Sequence, residues 1–442
     1  MTVTPACATG VRCGLVALLV VALPVTAWGA AGQVITTRDV GASVAVGAAG
    51  RAFVVTPSGR RDSRALVSVQ ARFAAPGTAF GRPRTLMRST RSARAVDAGV
   101  AADGSGVIVV QGLRGRHRSV RVATFDARGR VGRPVAISSR RDDADFAALA
   151  VARSGAAVVV WFGHRSASRW RLEASTRDRG AATFGPPQPL SAFVRRPCCT
   201  SVSVAIAERG DAVATWSSTA RPAVWAALRS GGHAFRRAQL LAPDASDVPR
   251  AVIGACGAAA VIYSTQHVPL RAGDGLQLHR AAPGAAFGAA EQVNPGGGVT
   301  VGDVAVTPAG HVLVAWHDQV HGARVGLSEA GPGEPLVATA ELGADVGAKR
   351  IALAADDAGR AVVAWSQRVP TAPAYRERAV AAIRATQGAP FGGAVALGRP
   401  WSAAEPGSAR LVPGGGALVA WNAARYGRPA VRRAALLVTR LA

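Results

Sequence analysis

The side chains able to do chemistry in this chain gather in a few short polar stretches. Arg88, Arg91 and Arg94, then Arg140–Arg141–Asp142–Asp143 with Asp145, then Arg195–Arg196 ahead of Cys198 and Cys199, supply most of the clustered charge. His164, His317–Asp318 with His321, Glu377 and Tyr426 supply groups that move protons or bind metals. Clustered guanidinium groups clamp carboxylate or phosphate through paired donors, so an anionic ligand is the sharpest binding expectation. His317–Asp318–x–x–His321 offers three metal ligands with no fourth in view and is expected to be a polar hairpin tip. Asp142–Asp143–x–Asp145 lacks the glycine-turn spacing of a calcium loop. A glycosidase would need paired carboxylates, or a tyrosine nucleophile with a carboxylate, and Tyr426 with Glu377 is the available combination. No Gly–x–Ser–x–Gly elbow and no His–Glu–x–x–His occurs. The expected ligand-binding set is therefore Arg94, Arg140, Arg141, Asp143, Arg195, Arg196, His164, His317, Asp318, His321 and Tyr426. No catalytic residue, metal or cofactor is assigned.

These stretches interrupt something periodic. The phrase Gly359–Arg360–Ala361–Val362–Val363–Ala364–Trp365 recurs as Gly155 to Trp161, Gly210 to Trp216, Gly257 to Tyr263, Gly310 to Trp316 and Gly415 to Trp421. Gly50 to Thr56 and Gly104 to Val110 are copies that have lost the aromatic. The final positions are 54, 51, 55, 47, 53, 49 and 56 residues apart, a mean of about 52. Apolar runs of four to six residues, broken by Gly, Pro, Asp and Arg, cannot sustain a helical stripe and predict strands. Each unit reads as four of them: in the unit around Trp365 they lie near Lys349–Leu353, up to Trp365, near Arg378–Arg384 and at Ala394–Leu397. A Gly/Phe turn precedes the fourth strand, as at Phe184–Gly185–Pro186 and Ala286–Phe287–Gly288, and these aromatics are expected to pack between units.

A period of roughly 40–50 residues built from short strands is the mark of propeller blades. The chain is therefore expected to be all-β: a single β-propeller of eight four-stranded blades, or seven if one weak copy is misassigned. The last unit ends after Ala430–Leu437 without a fourth strand, and Gln33–Thr37 has no unit of its own, so the two termini should pair and close the ring. On these repeats the chain resembles secreted β-propeller proteins in general, of kelch, WD40-like and sialidase-like architecture. The resemblance is to architecture alone: the kelch double glycine is absent from most copies, and the six-residue step from Gly359 to Trp365 is longer than a sialidase Asp-box allows.

Ahead of the repeats, Arg12, the apolar run Gly14–Leu23, Pro24 and the small residues Ala27–Ala31 read as a secretory signal peptide over 1–31, with the propeller at 32–442. The apolar run is too short for a comfortable membrane span, an uncleaved anchor being the alternative. Export implies an oxidising compartment, in which a cross-link from Cys198 or Cys199 to Cys256 is favoured over a vicinal bond between Cys198 and Cys199. Lys+Arg 52 against Asp+Glu 26 gives a net charge of +26. Lys349 is the only lysine, so the basicity reads as composition more than as selection for a polyanion. Nucleic acid is not favoured, since no stacking aromatics interleave with the arginines. The expected protein is a secreted or envelope-associated monomer, non-catalytic, binding an extracellular partner or anionic glycan at one end of its channel. Its alternatives are a sialidase-like or lyase-like enzyme acting on acidic glycans and a structural envelope protein.

Overall fold

Every unit folds as four strands, and the glycine at the head of each phrase shows why. In the computed structural model Gly359 has φ +73° and closes the Asp356–Gly359 turn between the first two strands, its N–H donating to the Asp356 carbonyl at 3.0 Å. The other phrase glycines, from Gly50 to Gly415, also have positive φ, a region that L side chains rarely adopt. The structure describes residues between 33 and 441 less the stretches 37–42, 48–49, 59–66, 77, 90–92, 115–116, 167–168, 195–200, 219–221, 246–248, 266–273, 295–299, 319–323, 344–349, 357, 370–375, 413–414 and 427–430. Among the described residues there are 32 strands in eight antiparallel four-stranded sheets and no helix. Blades 1 to 7 span 43–89, 93–136, 143–189, 202–242, 250–292, 300–343 and 351–396.

Blade 8 takes its first three strands from Ala403–Leu411, Ala417–Tyr426 and Val431–Leu441, and its fourth from the N-terminal strand Gln33–Thr36. Gln33 stands opposite Val438 and Val34 opposite Leu437, so the termini complete one sheet as their unpaired edges require. Ala52, Val54 and Ala74 of blade 1 pack on Leu418 and Ala420 of blade 8, which joins the ends of the series into a ring.

The aromatic ending each phrase is the inter-blade anchor. Trp161, Trp365 and Trp421 are wholly buried, and each lies in a cluster with the middle strands of the preceding blade. Buried indole N–H groups need acceptors. Trp316 donates to the Ser328 hydroxyl at 3.0 Å and Trp421 to that of Thr439 at 3.1 Å, and these hydroxyls donate onward to the preceding blade's Val293 and Leu397 carbonyls. Ser328 and Thr439 each lie two residues beyond the anchor's cross-strand partner. In blade 7 that place is taken by Ala382, and the buried Trp365 N–H has no acceptor among the described residues. Ala382→Ser is accordingly expected to raise stability by about 1 kcal/mol, read as a higher urea midpoint at unchanged m-value.

Blade 5 has a tyrosine as its anchor. The Nδ1 of His279 lies 2.7 Å from the Gly288 carbonyl oxygen and therefore carries the hydrogen, leaving Nε2 to accept from the Tyr263 hydroxyl at 2.9 Å. Burial pushes the Tyr263 phenol up from its ordinary value near 10 to about 12. Because the folded value is the higher one, the neutral phenol stabilises the fold fully below about pH 10, and this contribution is lost as pH rises through about 12. Alkaline unfolding should therefore be shallower over that window in Tyr263→Phe than in the natural protein.

Cys256 is a free thiol in the turn between the first two strands of blade 5, at the end of the blade away from the connection entering it. Cys198 and Cys199 lie outside the described residues.

Candidate functional site

With four antiparallel strands to a blade, the connection into each blade and the link between its second and third strands fall at the same end of the ring. The richest group of polar side chains on the described part of that end lies where blades 2 and 3 meet. Its centre is Asp145, near the start of the innermost strand Asp143–Val151, with only 8% of its side chain exposed. One carboxylate oxygen accepts from the Gln111 amide at 2.5 Å, and both accept from the Arg118 guanidinium at 2.8 Å. The second oxygen also faces His164 Nε2 at 3.1 Å. The His164 ring is held flat on the Trp170 indole, with centroids 3.9 Å apart and planes within 9°.

The neighbouring carboxylates are also held. Asp142, buried, accepts from the Arg165 Nε at 3.2 Å, and Asp143 accepts the Arg118 backbone N–H at 2.5 Å. The guanidinium groups of Arg165, Arg169 and Arg171 converge on the ring of Phe193, at 5.8, 4.7 and 4.8 Å from its centroid. Arg171 is neutralised by Glu173 at 2.6 Å. Arg118 and Arg165 are likewise paired, with Asp145 and Asp142, but they leave 53% and 55% of their side chains in solvent, so part of each guanidinium stays accessible at this mouth.

A β-bulge aims these groups. Asp145 stands opposite Phe162 and Ala148 opposite Val160, so that Phe146 and Ala147 together face the single residue Trp161. Phe146 has φ +54°, the only positive φ at a non-glycine among the described residues, and its side chain is 43% exposed. Such strain persists only where the surroundings enforce it and is concentrated at functional sites.

The chemistry follows from the tautomer. With Nε2 directed at a carboxylate, the neutral His164 ring carries its hydrogen there and its lone pair on Nδ1. His164 thus presents a lone pair on Nδ1, which is what a proton acceptor requires.

Of the residues expected from sequence, the structure brings Asp143 and His164 together and adds the exposed Arg140 and Arg141 on the connection entering blade 3. Among the described residues neither of these two arginines meets a carboxylate. Arg94 stands in register opposite Gln111, the residue whose amide reaches Asp145. Tyr426 is placed by its backbone in blade 8, opposite Val431. Two expectations are corrected. His317 and Asp318 form no exposed tip: they end the second strand of blade 6, 2% and 0% exposed, because that strand is buried along its whole length. Glu377 is no free carboxylate, since it is buried and accepts the Ala404 N–H at 3.1 Å, tying blade 7 to blade 8. Arg195, Arg196 and His321 lie outside the described residues. Sequence reading missed Gln111, Arg118, Arg165 and Trp170, which come from four different strands and carry no local motif.

No family model matches the chain, and no curated protein matches it. Solved structures similar to it include a protein of unknown function from Dyadobacter fermentans, at 11% identity over 69% of this chain and 96% of that one, TM-score 0.37. Puromycin hydrolase is similar at 15% identity over 88% of this chain, TM-score 0.47, and the present chain spans only 59% of its length. The NanB sialidase of Streptococcus pneumoniae is similar at 8% identity over 93% of this chain and 68% of that one, TM-score 0.38. The similarity is one of fold. The expectation of a non-catalytic binding propeller is corrected at this point: the solved structures that resemble the chain are mostly enzymes, including a hydrolase, prolyl peptidases, sialidases and a polysaccharide lyase. Among the described residues no helix is long and apolar enough to cross a membrane.

Proposed function

We propose that the chain is an exported enzyme that cleaves an acidic polysaccharide by β-elimination at the mouth between blades 2 and 3. The observation that carries this reading is the 3.1 Å pairing of His164 with the buried Asp145, beside a guanidinium, that of Arg118, which is half in solvent. Elimination from a uronate residue needs two things: neutralisation of the sugar carboxylate, which acidifies the neighbouring C–H, and a base for that hydrogen. Arginine meets the first need through paired donors, and Arg118 is suitably placed, with Arg140 and Arg141 available to further sugars of the chain. His164 Nδ1 meets the second. As it takes the hydrogen α to the carboxylate, the freed electron pair forms a C=C bond to the β carbon and expels the glycosidic oxygen, which recovers the proton from the imidazolium. Asp145 holds the ring and stabilises its charged form without taking the proton. Residues 1–31 serve in this reading as the leader that exports the enzyme.

The test is product analysis on a panel of uronate-containing polysaccharides. Elimination gives new reducing ends together with the ultraviolet absorbance of a conjugated unsaturated acid. Reducing ends without that absorbance would mean hydrolysis, and neither product from any acidic polysaccharide would overturn the reading.

A further inference from the structure

On the outside of the ring, where the outer strands of blades 3 and 4 splay apart, lies a cavity of about 730 Å³, within the range of pockets that enclose small ligands. Its walls are mostly apolar. Trp225 stands directly opposite the anchor Trp216 across the two middle strands of blade 4, so that two indoles share the cavity wall. In the other blades that have an aromatic anchor the facing residue is Glu173, Gln277, Gly326, Val380 or Leu437. Neither the Trp216 nor the Trp225 N–H has a hydrogen-bond partner among the described residues, and the place occupied by Ser328 in blade 6 is Ala227 here. Indole N–H groups at such a surface are donors awaiting an acceptor. Leu240, 43% exposed, extends the apolar wall outward.

Among the described residues the charge in this wall is all of one sign: no Asp or Glu lines the cavity, whereas Arg236 and Arg237 do. Arg236 is engaged elsewhere, donating to the Gly284 carbonyl at 2.7 Å and the Ser230 hydroxyl at 3.2 Å. Arg237 is exposed and meets no carboxylate among the described residues.

We propose that this cavity between blades 3 and 4 is a binding site for a small aromatic acid, its flat apolar body lying against Trp216 and Trp225 and its anionic group meeting Arg237. The apolar walls supply the affinity and the arginine selects the charge, since a carboxylate held beside a guanidinium gains paired hydrogen bonds that a neutral analogue lacks. The cavity wall adjoins the mouth between blades 2 and 3, since Val194 is hydrogen-bonded to Trp170 and Phe162 stands opposite Asp145, but Trp216, Trp225 and Arg237 belong to blade 4 and take no part in the catalytic reading, so the two readings are tested apart.

Isothermal titration of the full chain with naphthoate and with its neutral counterpart naphthylmethanol tests this. Saturable one-to-one binding of naphthoate is expected, at least about tenfold tighter than that of the alcohol. Arg237→Glu, a change at an exposed position that leaves the thermal midpoint in place, should reduce naphthoate affinity at least about tenfold and the alcohol's hardly at all. Trp225→Leu should weaken both. Equal affinity for acid and alcohol, no loss in Arg237→Glu, or no saturable heat from naphthoate would each overturn the proposal.

Discussion

Exchanging Trp161 for alanine is expected to cost about 3–5 kcal/mol of folding stability, the range for truncating a large buried aromatic. The side chain is wholly buried among Val107, Val109 and Val120 of blade 2 and Leu149 and Val159 of blade 3, so its loss opens a cavity between two blades. It also takes a donor from a buried charge. The Trp161 N–H donates at 3.0 Å to Glu173, a carboxylate with 3% of its side chain exposed, and removing one donor from a buried carboxylate adds a desolvation cost of about 1–3 kcal/mol. The consequence reaches the candidate site, because Trp161 is the residue that faces the Phe146–Ala147 bulge. Chemical denaturation should show a lowered midpoint, and Trp161→Phe, which keeps an aromatic ring and most of the apolar volume but not the donor, should fall between the variant and the natural protein.

Asp145→Asn is expected to lower kcat on an acidic polysaccharide by about 10²–10⁴, the contribution of positioned general acid–base catalysis. The amide retains the size of the carboxylate but can offer an N–H where His164 now finds an acceptor. The ring would then carry its hydrogen on Nδ1, leaving no base towards the substrate, and a nascent imidazolium would have no counter-charge. Arg118 and Gln111 also lose part of their acceptor, so some stability goes with it. A merely structural role for Asp145 predicts lost stability at unchanged kcat in the folded fraction, which thermal unfolding measured beside the rate separates from a catalytic effect.

The architecture was legible because its determinants are local. Gly359 and its counterparts must reverse the chain at positive φ, and a β-branched run ending in Trp or Tyr must be buried on both faces, so one seven-residue phrase reports on a whole blade. Closure was legible for the same reason: a lone strand at Gln33–Thr36 and a sheet short of one strand each leave an edge that needs pairing. The site was only half legible. The Arg140–Asp145 stretch and His164 were recognised as polar loop residues, but their contact depends on register. Below the bulge Val151 pairs with Ala157 and Ala150 with Val158, and continuing that count would set Asp143 opposite Arg165; the bulge slides the strand by one and sets it opposite His164. A one-residue slip exchanges the faces of a strand, and nothing in the composition of Asp143–Val151 announces it. His317 and Asp318 failed in the opposite way: polar residues at a predicted strand end were read as exposed, but the strand runs on through them into the core. The cavity between blades 3 and 4 escaped notice because Trp225 belongs to no repeat, and its importance appears only once register places it against Trp216.

The most direct test of the catalytic reading is the initial rate of conjugated double-bond formation from a polyuronate, measured for the natural protein and for His164→Gln at matched near-ultraviolet circular dichroism. His164 leaves 13% of its side chain exposed and lies beside the blade 3 core, so a glutamine of similar reach should fold and may be compared as an equal. The account predicts a measurable rate in the natural protein and a loss of about 10²–10⁴ in the variant, with polysaccharide binding retained through the arginines. An undiminished rate in His164→Gln would contradict it and move the chemistry away from the mouth between blades 2 and 3.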